Sequence, residues 1–157
     1  MGYHPITPCL WFDSEAEQAA KFYTSIFKDS RIDHVSRFGK EGYEFHKKEP
    51  GTAMTVAFKI NGQNYTALNG GPDFKFNESI SFQVSCDTQE EIDNYWDKLI
   101  EGGEEQQCGW LKDKFGVSWQ IIPSVLGQLM SDPAKAGRVT NAFLQMKKFD
   151  IKRLMEA

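Results

Sequence analysis

The sequence repeats itself at a spacing of 74 residues, and this repeat constrains the fold more strongly than any other feature. The shift places Leu10 on Val84 and Ile26 on Ile100. The other matched pairs are Ile6 with Ile80, Asp13 with Asp87, Ser14 with Thr88, Glu17 with Glu91 and Phe22 with Trp96. Both halves therefore begin with the same unit, and the pattern predicts a duplicated module.

Each copy opens with a strand signal that leads into a helix signal. Residues 6–12 and 80–86 are apolar with a period of two, which predicts β-strands. A capping box follows in each copy, with a hydroxyl that accepts from a first-turn amide and a Glu that reaches back to the cap. The two boxes are Ser14 with Glu17 and Thr88 with Glu91. Apolar residues then recur at helical spacing, so an amphipathic helix is predicted in each copy.

The rest of the first copy predicts three more strands. They are residues 31–38, 52–60 and 63–69, with residues 39–51 as a long polar loop. Asn61-Gly62 predicts a type I′ turn between the last two strands, because both residues tolerate positive φ. The first copy is therefore a βαβββ module.

The second copy is predicted to be shorter. Strands at 105–112 and 117–122 flank a turn at 113–116, and the charged run 112–114 is interpreted as a solvated hairpin tip. Residues from 124 onward predict helices that pack on the sheets or on a partner chain. The predicted organisation is thus one domain with a first module at 1–72, a second, shortened module at 73–123 and a helical tail at 124–157.

The repeat predicts an α+β fold of tandem βαβββ modules that form a cup-shaped mixed sheet, plus C-terminal helices. A helix covers one face of each sheet, and pairing the other faces would give a cup. Strand alternation predicts which side chains point inward, with residues 65, 67 and 69 as the inward set of the 63–69 strand. The predicted ligand-binding residues are Thr7, Cys9, Trp11, Tyr65, Asn69, Ser81, Gln83 and Gln120. The alternative is a cup filled by side chains, in a protein that acts through its surface.

Composition limits the kinds of partner. Lys and Arg number 18 against 22 Asp and Glu, a net charge of −4, which does not favour nucleic acid or an anionic membrane. No apolar stretch is long enough to span a bilayer. Three scattered cysteines do not make a disulfide framework and indicate a reducing, cytoplasmic location. A small-molecule ligand is the expected partner.

Four stretches give the chain a family resemblance. They are residues 10–12 (LWF), the helix with Phe22 and Tyr23, the junction 67–72 (ALNGGP) and residues 109–123 (GWLKDKFGVSWQIIP). In these the chain resembles PhnB-like proteins of the vicinal oxygen chelate superfamily, which includes glyoxalase I, bleomycin-resistance proteins and extradiol dioxygenases. The resemblance implies the cup fold and a homodimer, but no particular activity, because one fold hosts many chemistries.

The resemblance also implies where a superfamily metal would be held. The positions carried over are Thr7, Ala67, Ser81 and Gln120, and none offers an imidazole or a carboxylate. We therefore expect neither a metal nor a cofactor, and assign no catalytic residue. One alternative is a metal-dependent lyase, isomerase or dioxygenase with noncanonical ligands such as His4 or His34. The other alternative is methyl transfer, the activity in the family label 3-demethylubiquinone 3-methyltransferase. A cofactor site of the dinucleotide-binding type would need a glycine-rich turn between a strand and a helix, and the sequence shows none.

Overall fold

The framework of the protein is two four-stranded mixed sheets with the same strand order. The structure is a computed structural model and describes residues 6–157. The chain divides into two compact units, one ending at Lys75 and the other beginning at Phe76. In the first unit the elements are β1 (Cys9–Phe12), α1 (Ala16–Ile26), β2 (Arg31–Arg37), α2 (Tyr43–His46), β3 (Ala53–Ile60) and β4 (Gln63–Asn69). The strand order is β1-β4-β3-β2, with β1 parallel to β4 and the other neighbours antiparallel.

The second unit repeats this plan and adds three helices. Its elements are β5 (Ser81–Cys86), α3 (Gln89–Leu99), β6 (Glu104–Glu105), β7 (Trp110–Lys112), β8 (Ser118–Pro123), α4 (Leu126–Ser131), α5 (Ala136–Phe143) and α6 (Ile151–Met155). The strand order is β5-β8-β7-β6, and β5 is parallel to β8. The α+β fold of two βαβββ modules with C-terminal helices is therefore confirmed. No helix within residues 6–157 is long and apolar enough to cross a membrane.

Local signals predicted most of the first unit. Asn61 and Gly62 have φ of 47° and 77°, as the predicted type I′ turn requires. The expectation of an uninterrupted loop at 39–51 is wrong, because the short helix α2 lies within it. That helix has four residues and none of its side chains is buried, so no apolar periodicity marks it in the sequence.

The predicted strand at 105–112 is wrong, because the chain forms two short strands there. Cys108 and Gly109 both have positive φ, at 58° and 80°, which a continuous strand does not allow. Their amide groups donate instead to the tail, at 2.8 Å to the carbonyl of Met146 and 2.7 Å to that of Lys147. A cysteine in this conformation is uncommon, so the sequence gives no warning of the break.

Each unit packs its helix against one face of its sheet. In the first, α1 buries Ala19, Ala20 and Tyr23, and the Tyr23 ring stacks on Phe58 of β3 at 6.3 Å between centroids. In the second, the α3 residues Ile92, Trp96 and Leu99 are buried, as are the sheet residues Leu111, Trp119 and Ile121. Burial of these apolar stripes is what holds each helix on its sheet.

The two predicted capping boxes have different outcomes. Thr88 caps α3 by accepting from the amide of Glu91 at 3.2 Å, and the Glu91 carboxylate accepts from the amide of Asp87 at 2.7 Å. The Ser14 box is wrong, since α1 has no side-chain cap from its own segment. The amide of Ala16 donates to Oδ1 of Asn69 at 2.9 Å, because the parallel pairing of β1 with β4 brings Asn69 beside the start of α1.

The inward set predicted for β4 is also wrong. Tyr65, Ala67 and Asn69 lie on the face that α1 covers, where Ala67 is fully buried and Asn69 is 6% exposed. The Tyr65 ring stacks on Phe58 at 5.5 Å, and Asn69 Nδ2 donates to the carbonyl of Ala53 at 2.9 Å. A shift of one residue in the pairing of a strand moves each of its side chains to the opposite face of the sheet. The prediction for β4 differs from the structure by such a shift.

The charged run at 112–114 is not a solvated tip throughout. The Asp113 carboxylate is 3% exposed. Its Oδ1 accepts from the amides of Phe115 and Val117, at 2.8 and 3.1 Å, and its Oδ2 accepts from Nε1 of Trp119 at 2.9 Å. Three donors on one carboxylate therefore hold the turn between β7 and β8.

The C-terminal tail packs within its own unit. The side chain of Gln89 at the start of α3 donates to the carbonyl of Phe149 at 3.0 Å and accepts from the amide of Ile151 at 2.9 Å. Lys148 forms an ion pair of 2.9 Å with Asp93 of the same helix. Asp150 caps α6, because its side chain accepts from the amide of Arg153 at 3.0 Å.

Asn69→Ala is expected to lower the free energy of unfolding by about 1–3 kcal/mol, because it leaves the Ala16 amide and the Ala53 carbonyl unpaired in a buried region. Ser14→Ala should stay within about 0.5 kcal/mol of the parent protein. Urea denaturation followed by circular dichroism measures both. A larger loss for Ser14→Ala than for Asn69→Ala would contradict this account of how α1 begins.

Candidate functional site

Each sheet has one face that its helix does not cover, and we call this the helix-free face. In the second sheet it carries small polar side chains of β5 and β8. Gln83 is paired in register with Gln120, and Ser81 with Ser118. Of their neighbours in sequence, Val84, Trp119 and Ile121 are buried on the α3 side. The sequence prediction placed Ser81, Gln83 and Gln120 on this face, and that orientation is confirmed.

A short hydrogen-bonded ladder links three of these side chains. Gln83 Nε2 donates to Oε1 of Gln120 at 3.3 Å, and Gln120 Nε2 donates to Oγ of Ser81 at 2.7 Å. The ladder fixes the orientation of both amides. Each amide has two donor hydrogens and an oxygen with two lone pairs, so the ladder leaves donors and acceptors available on an uncharged surface.

Ser118 adds an unpaired polar atom to the same face. It is 1% exposed, and its Oγ has no hydrogen-bond partner within residues 6–157. A buried hydroxyl without a partner costs about 1–3 kcal/mol relative to a paired one. A water or a ligand atom that reached this oxygen would recover part of that free energy.

The sequence prediction missed two residues of this face, both on β7. Trp110 is paired in register with Gln120, and Lys112 with Ser118. Leu111 between them is fully buried on the α3 side, so both neighbours point to the helix-free face. The signal that could have found them is alternation counted back from the turn at Asp113, which places Trp110 and Lys112 on one face and the apolar Leu111 on the other.

The charge of Lys112 is neutralised next to the face. Its Nζ lies 2.5 Å from Oε1 of Glu78, and this hydrogen bond raises the pKa of Lys112. The same bond lowers the pKa of Glu78, which also accepts from Gln106 at 3.2 Å. Glu104, in register with Lys112 on the edge strand β6, is exposed and adds a negative charge at that edge. On β5 and β8, the polar groups of this face are uncharged.

The helix-free face of the first sheet is more apolar. Cys9 is paired with Thr66, and Trp11 with Leu68. Thr7, which precedes β1, is exposed. The predicted orientation of Cys9 and Trp11 is confirmed, but on β4 their neighbours are Thr66 and Leu68 rather than Tyr65 and Asn69.

Trp11 is held in place by the junction that follows β4. Its Nε1 donates to the carbonyl of Gly71 at 2.9 Å, and its ring meets the Phe74 ring edge-on at 4.9 Å. A Cβ at Gly70 would overlap the indole of Trp11, so the backbone can approach this closely only at a glycine.

Histidines give this sheet no metal site. His34 occurs in the same cross-strand row as Cys9, but β4 and β3 lie between their strands, a separation of about 14 Å at the usual strand spacing. His46 accepts from the amide of Lys48 at 2.9 Å and contacts the carbonyl of Glu41 at 3.1 Å. His4, the other alternative ligand, lies outside the described residues. Within residues 6–157 no three His, Cys, Asp or Glu side chains are grouped to hold a metal.

The positions implied for a superfamily metal do not fit one. In the second unit, Gln120 is paired with Gln83. The repeat matches Gln83 to Cys9, and Cys9 is paired with Thr66. The counterpart of Gln120 in the first unit is therefore Thr66, and not Ala67. The donor set at the four positions is then three hydroxyls and one amide, with Thr7 and Ser81 completing it. Neutral groups of this kind do not form the imidazole and carboxylate sites that hold divalent transition metals.

Two βαβββ units with one strand order and one helix on each sheet define a protein of the vicinal oxygen chelate fold. Its sequence narrows this further, because the profile of the 3-demethylubiquinone-9 3-methyltransferase family matches residues 4–122. The chain belongs to this family, whose members are also called PhnB-like. No curated protein is significantly similar to the chain in sequence.

Solved structures agree with this assignment. The PhnB protein from Bacillus cereus, described under the same methyltransferase name, is 34% identical, with a TM-score of 0.69, over 77% of this chain and 100% of that one. The fosfomycin resistance protein FosX from Mesorhizobium loti is 11% identical, with a TM-score of 0.58, over 84% of this chain and 100% of its own. FosX from Listeria monocytogenes is 16% identical, with a TM-score of 0.52, over 82% and 97%. The FosX proteins share the fold alone.

Gly70→Ala is expected to displace the indole of Trp11, because the new methyl group cannot share its position. The near-ultraviolet circular dichroism should change and stability should fall by about 1–3 kcal/mol. Gly137→Ala is the control, since nothing lies near its Cβ position within α5, and it should be neutral or stabilising by up to about 1 kcal/mol. An unchanged Gly70→Ala spectrum would show that Trp11 is not held as described.

The three cysteines should differ in reactivity. Cys9 is exposed, whereas burial raises the pKa of the Cys86 thiol to about 11. Iodoacetamide at about pH 8 should therefore modify Cys9 and spare Cys86, because the thiolate is the nucleophile. Peptide mass spectrometry measures both sites, with protein in guanidinium chloride as the control in which all three react. Modification of Cys86 in the native protein at the rate of Cys9 would contradict its burial.

Proposed function

We propose that this protein binds a small, planar, uncharged molecule on the helix-free face of its second sheet, and that neutral side chains hold it without a metal ion. The observation that carries the proposal is the ladder of Gln83, Gln120 and Ser81 next to the indole of Trp110. An aromatic wall with a few oriented polar groups is typical of small-molecule sites. Cys9 and Trp11 remain proposed ligand contacts on the helix-free face of the first unit.

The chemistry of this face favours oxygen-bearing aromatic ligands. The Trp110 ring offers stacking, and the amide hydrogens of Gln83 and Gln120 can donate to a hydroxyl, methoxy or carbonyl oxygen. An anionic ligand would lose its hydration without gaining an ionic partner, because the nearby Lys112 is already paired with Glu78. The other charge of this face, Glu104, lies on the edge strand β6 and not beside the ladder of β5 and β8. The proposed ligand class is therefore neutral at physiological pH.

The proposal covers binding and includes no reaction. Methyl transfer, the activity in the family name, needs a site for a methyl donor, and dinucleotide-type folds build theirs at a glycine-rich turn from a strand into a helix. Among residues 6–157, the connections from a strand into α1, α3 and α4 are residues 13–15, 87–88 and 124–125, and none contains glycine. The connection from β2 into α2 contains Gly39 and Gly42, but α2 has only four residues and none of them is buried. A metal-dependent lyase, isomerase or dioxygenase would need ionisable ligands that the four implied metal positions do not provide.

Binding of 2-methoxyphenol, a neutral planar probe, tests the proposal. Its titration into uniformly 15N-labelled protein should shift the side-chain amide signals of Gln83 and Gln120 and the indole signal of Trp110. Gln120→Leu should weaken binding about fivefold, the effect of losing about one hydrogen bond. Trp110→Leu should weaken it further by removing the stacking surface.

The matched control is Gln63→Leu, which removes an exposed strand glutamine of the first unit and should leave the affinity unchanged. Equal loss in Gln63→Leu and Gln120→Leu, or probe shifts that avoid β5, β7 and β8, would contradict the proposed site. A stoichiometric transition metal in protein purified without chelator would overturn the metal-free part of the proposal.

A further inference from the structure

A cavity lies on the α1 side of the first sheet, and three of its nine lining residues are basic. Its volume is about 400 Å³. The residues that matter to its chemistry are Glu17, Lys21, Arg37, Lys48, Thr52 and Asn69. All belong to the first unit, and we call the space they line the basic cavity.

Local geometry explains why these charges meet. Glu17 and Lys21 are one turn apart on α1 and form an ion pair of 2.9 Å. Arg37 ends β2 and is paired with Ala53 at the start of β3, so its side chain reaches the same carboxylate, at 3.3 Å. Lys48 comes from the segment after α2 and donates to the carbonyl of Asp13 at 3.0 Å. Lys48 Nζ also lies 3.6 Å from Oδ1 of the Asp13 carboxylate. Three cations therefore face two carboxylates, Glu17 and Asp13, which leaves an excess of one positive charge.

The cations keep hydrogen-bonding capacity for a ligand. Among residues 6–157 the Arg37 guanidinium bonds only through Nη1, to Glu17 and to the carbonyl of Gly51. Its Nε and Nη2 remain, and such a planar fork matches a carboxylate or a phosphate. The Lys48 side chain is 24% exposed, the most covered of the three, so its charge is the least screened by water.

Glu17 already serves as an internal anion for this cavity. Hydrogen bonding from Lys21, supported by Arg37, lowers the pKa of its carboxyl. Asn69 gives no binding group, because its amide is engaged with Ala16 and Ala53. The Thr52 hydroxyl donates to the carbonyl of Glu49 at 2.8 Å and has its oxygen left as an acceptor. An added ligand would therefore meet a small excess of positive charge, since the carboxylates of Glu17 and Asp13 offset part of the charge of the three cations.

We propose that the basic cavity binds the oxyanion group, carboxylate or phosphate, of a small organic molecule, through Arg37 and Lys48. The cavity is in the range of about 300–1,000 Å³ typical of ligand sites, so it has room for an organic body as well as the anionic group. The exposure of Lys21 and Arg37 makes the affinity modest and dependent on salt. This site is separate from the helix-free faces and does not depend on the function proposed for them.

Titrations with inorganic phosphate and with succinate, at constant ionic strength, test this proposal by 15N–1H nuclear magnetic resonance. A saturable shift of the amides of Lys48, Thr52 and Ala53 is expected with at least one probe. A response to phosphate alone assigns a phosphorylated ligand, and a response to succinate alone assigns a carboxylate. No localised response to either would overturn the proposal.

Charge-matched variants separate a built site from general attraction. Arg37→Gln should weaken binding about two- to fivefold, whereas Arg31→Gln, at the other end of β2 and paired with Asp33, should leave it unchanged. Equal weakening by both would indicate unspecific attraction and contradict the proposal.

A gain of affinity gives a test that a folding defect cannot imitate. Glu17→Gln removes the internal anion and releases Lys21 and Arg37, so affinity for the responding probe should rise about two- to fivefold. Glu44→Gln on α2, outside the cavity, changes the net charge equally and should have no such effect. Weaker binding in Glu17→Gln would overturn the proposed competition.

Discussion

The parallel pairing of the first and last strands of each unit is the constraint on which the rest of the structure depends. Because Phe12 is in register with Asn69, the end of β4 lies beside the start of α1, and Asn69 can cap that helix from a distant part of the chain. The same kind of pairing between β5 and β8 aligns Gln83 with Gln120 and makes their hydrogen bond possible. Register thus determines both which polar groups stabilise the core and which are presented to a ligand.

The sequence predicted those elements whose signals are local. The repeat, the Asn61-Gly62 turn and the Thr88 cap each need only a few neighbouring residues, and all were confirmed. On β5 and β8 one face is clearly apolar, so alternation gave the correct orientation. On β4 both alternating sets mix polar and apolar side chains, so hydrophobicity could not decide between them. Asn69 lies inside because it has two specific partners, and a long-range pairing of that kind cannot be identified from local pattern.

The polar groups of the two units perform different tasks because their hydrogen bonds are satisfied to different degrees. Asp113 accepts from three donors and Asn69 uses both ends of its amide, so each fixes a turn or a helix start and has little left to offer. The amides of Gln83 and Gln120 are only partly used, and the hydroxyl of Ser118 has no partner within the described residues. A candidate binding surface differs from a structural network because its hydrogen-bonding groups are only partly paired and lie on a face that no helix covers.

Charge then separates the two proposed sites. On the helix-free face of the second sheet, Glu78 neutralises Lys112, Glu104 lies on the edge strand, and the polar groups around the ladder are amides, hydroxyls and an indole. Beside α1, Lys21 and Arg37 share the Glu17 carboxylate and Lys48 pairs with Asp13, so one positive charge is left over. A neutral aromatic ligand gains nothing from the second environment, and an anion gains nothing from the first that offsets its lost hydration. The two surfaces therefore select different chemical classes. In a molecule with both an aromatic ring and an acidic group, the acidic group would gain nothing at the helix-free face, and the ring would gain nothing in the basic cavity.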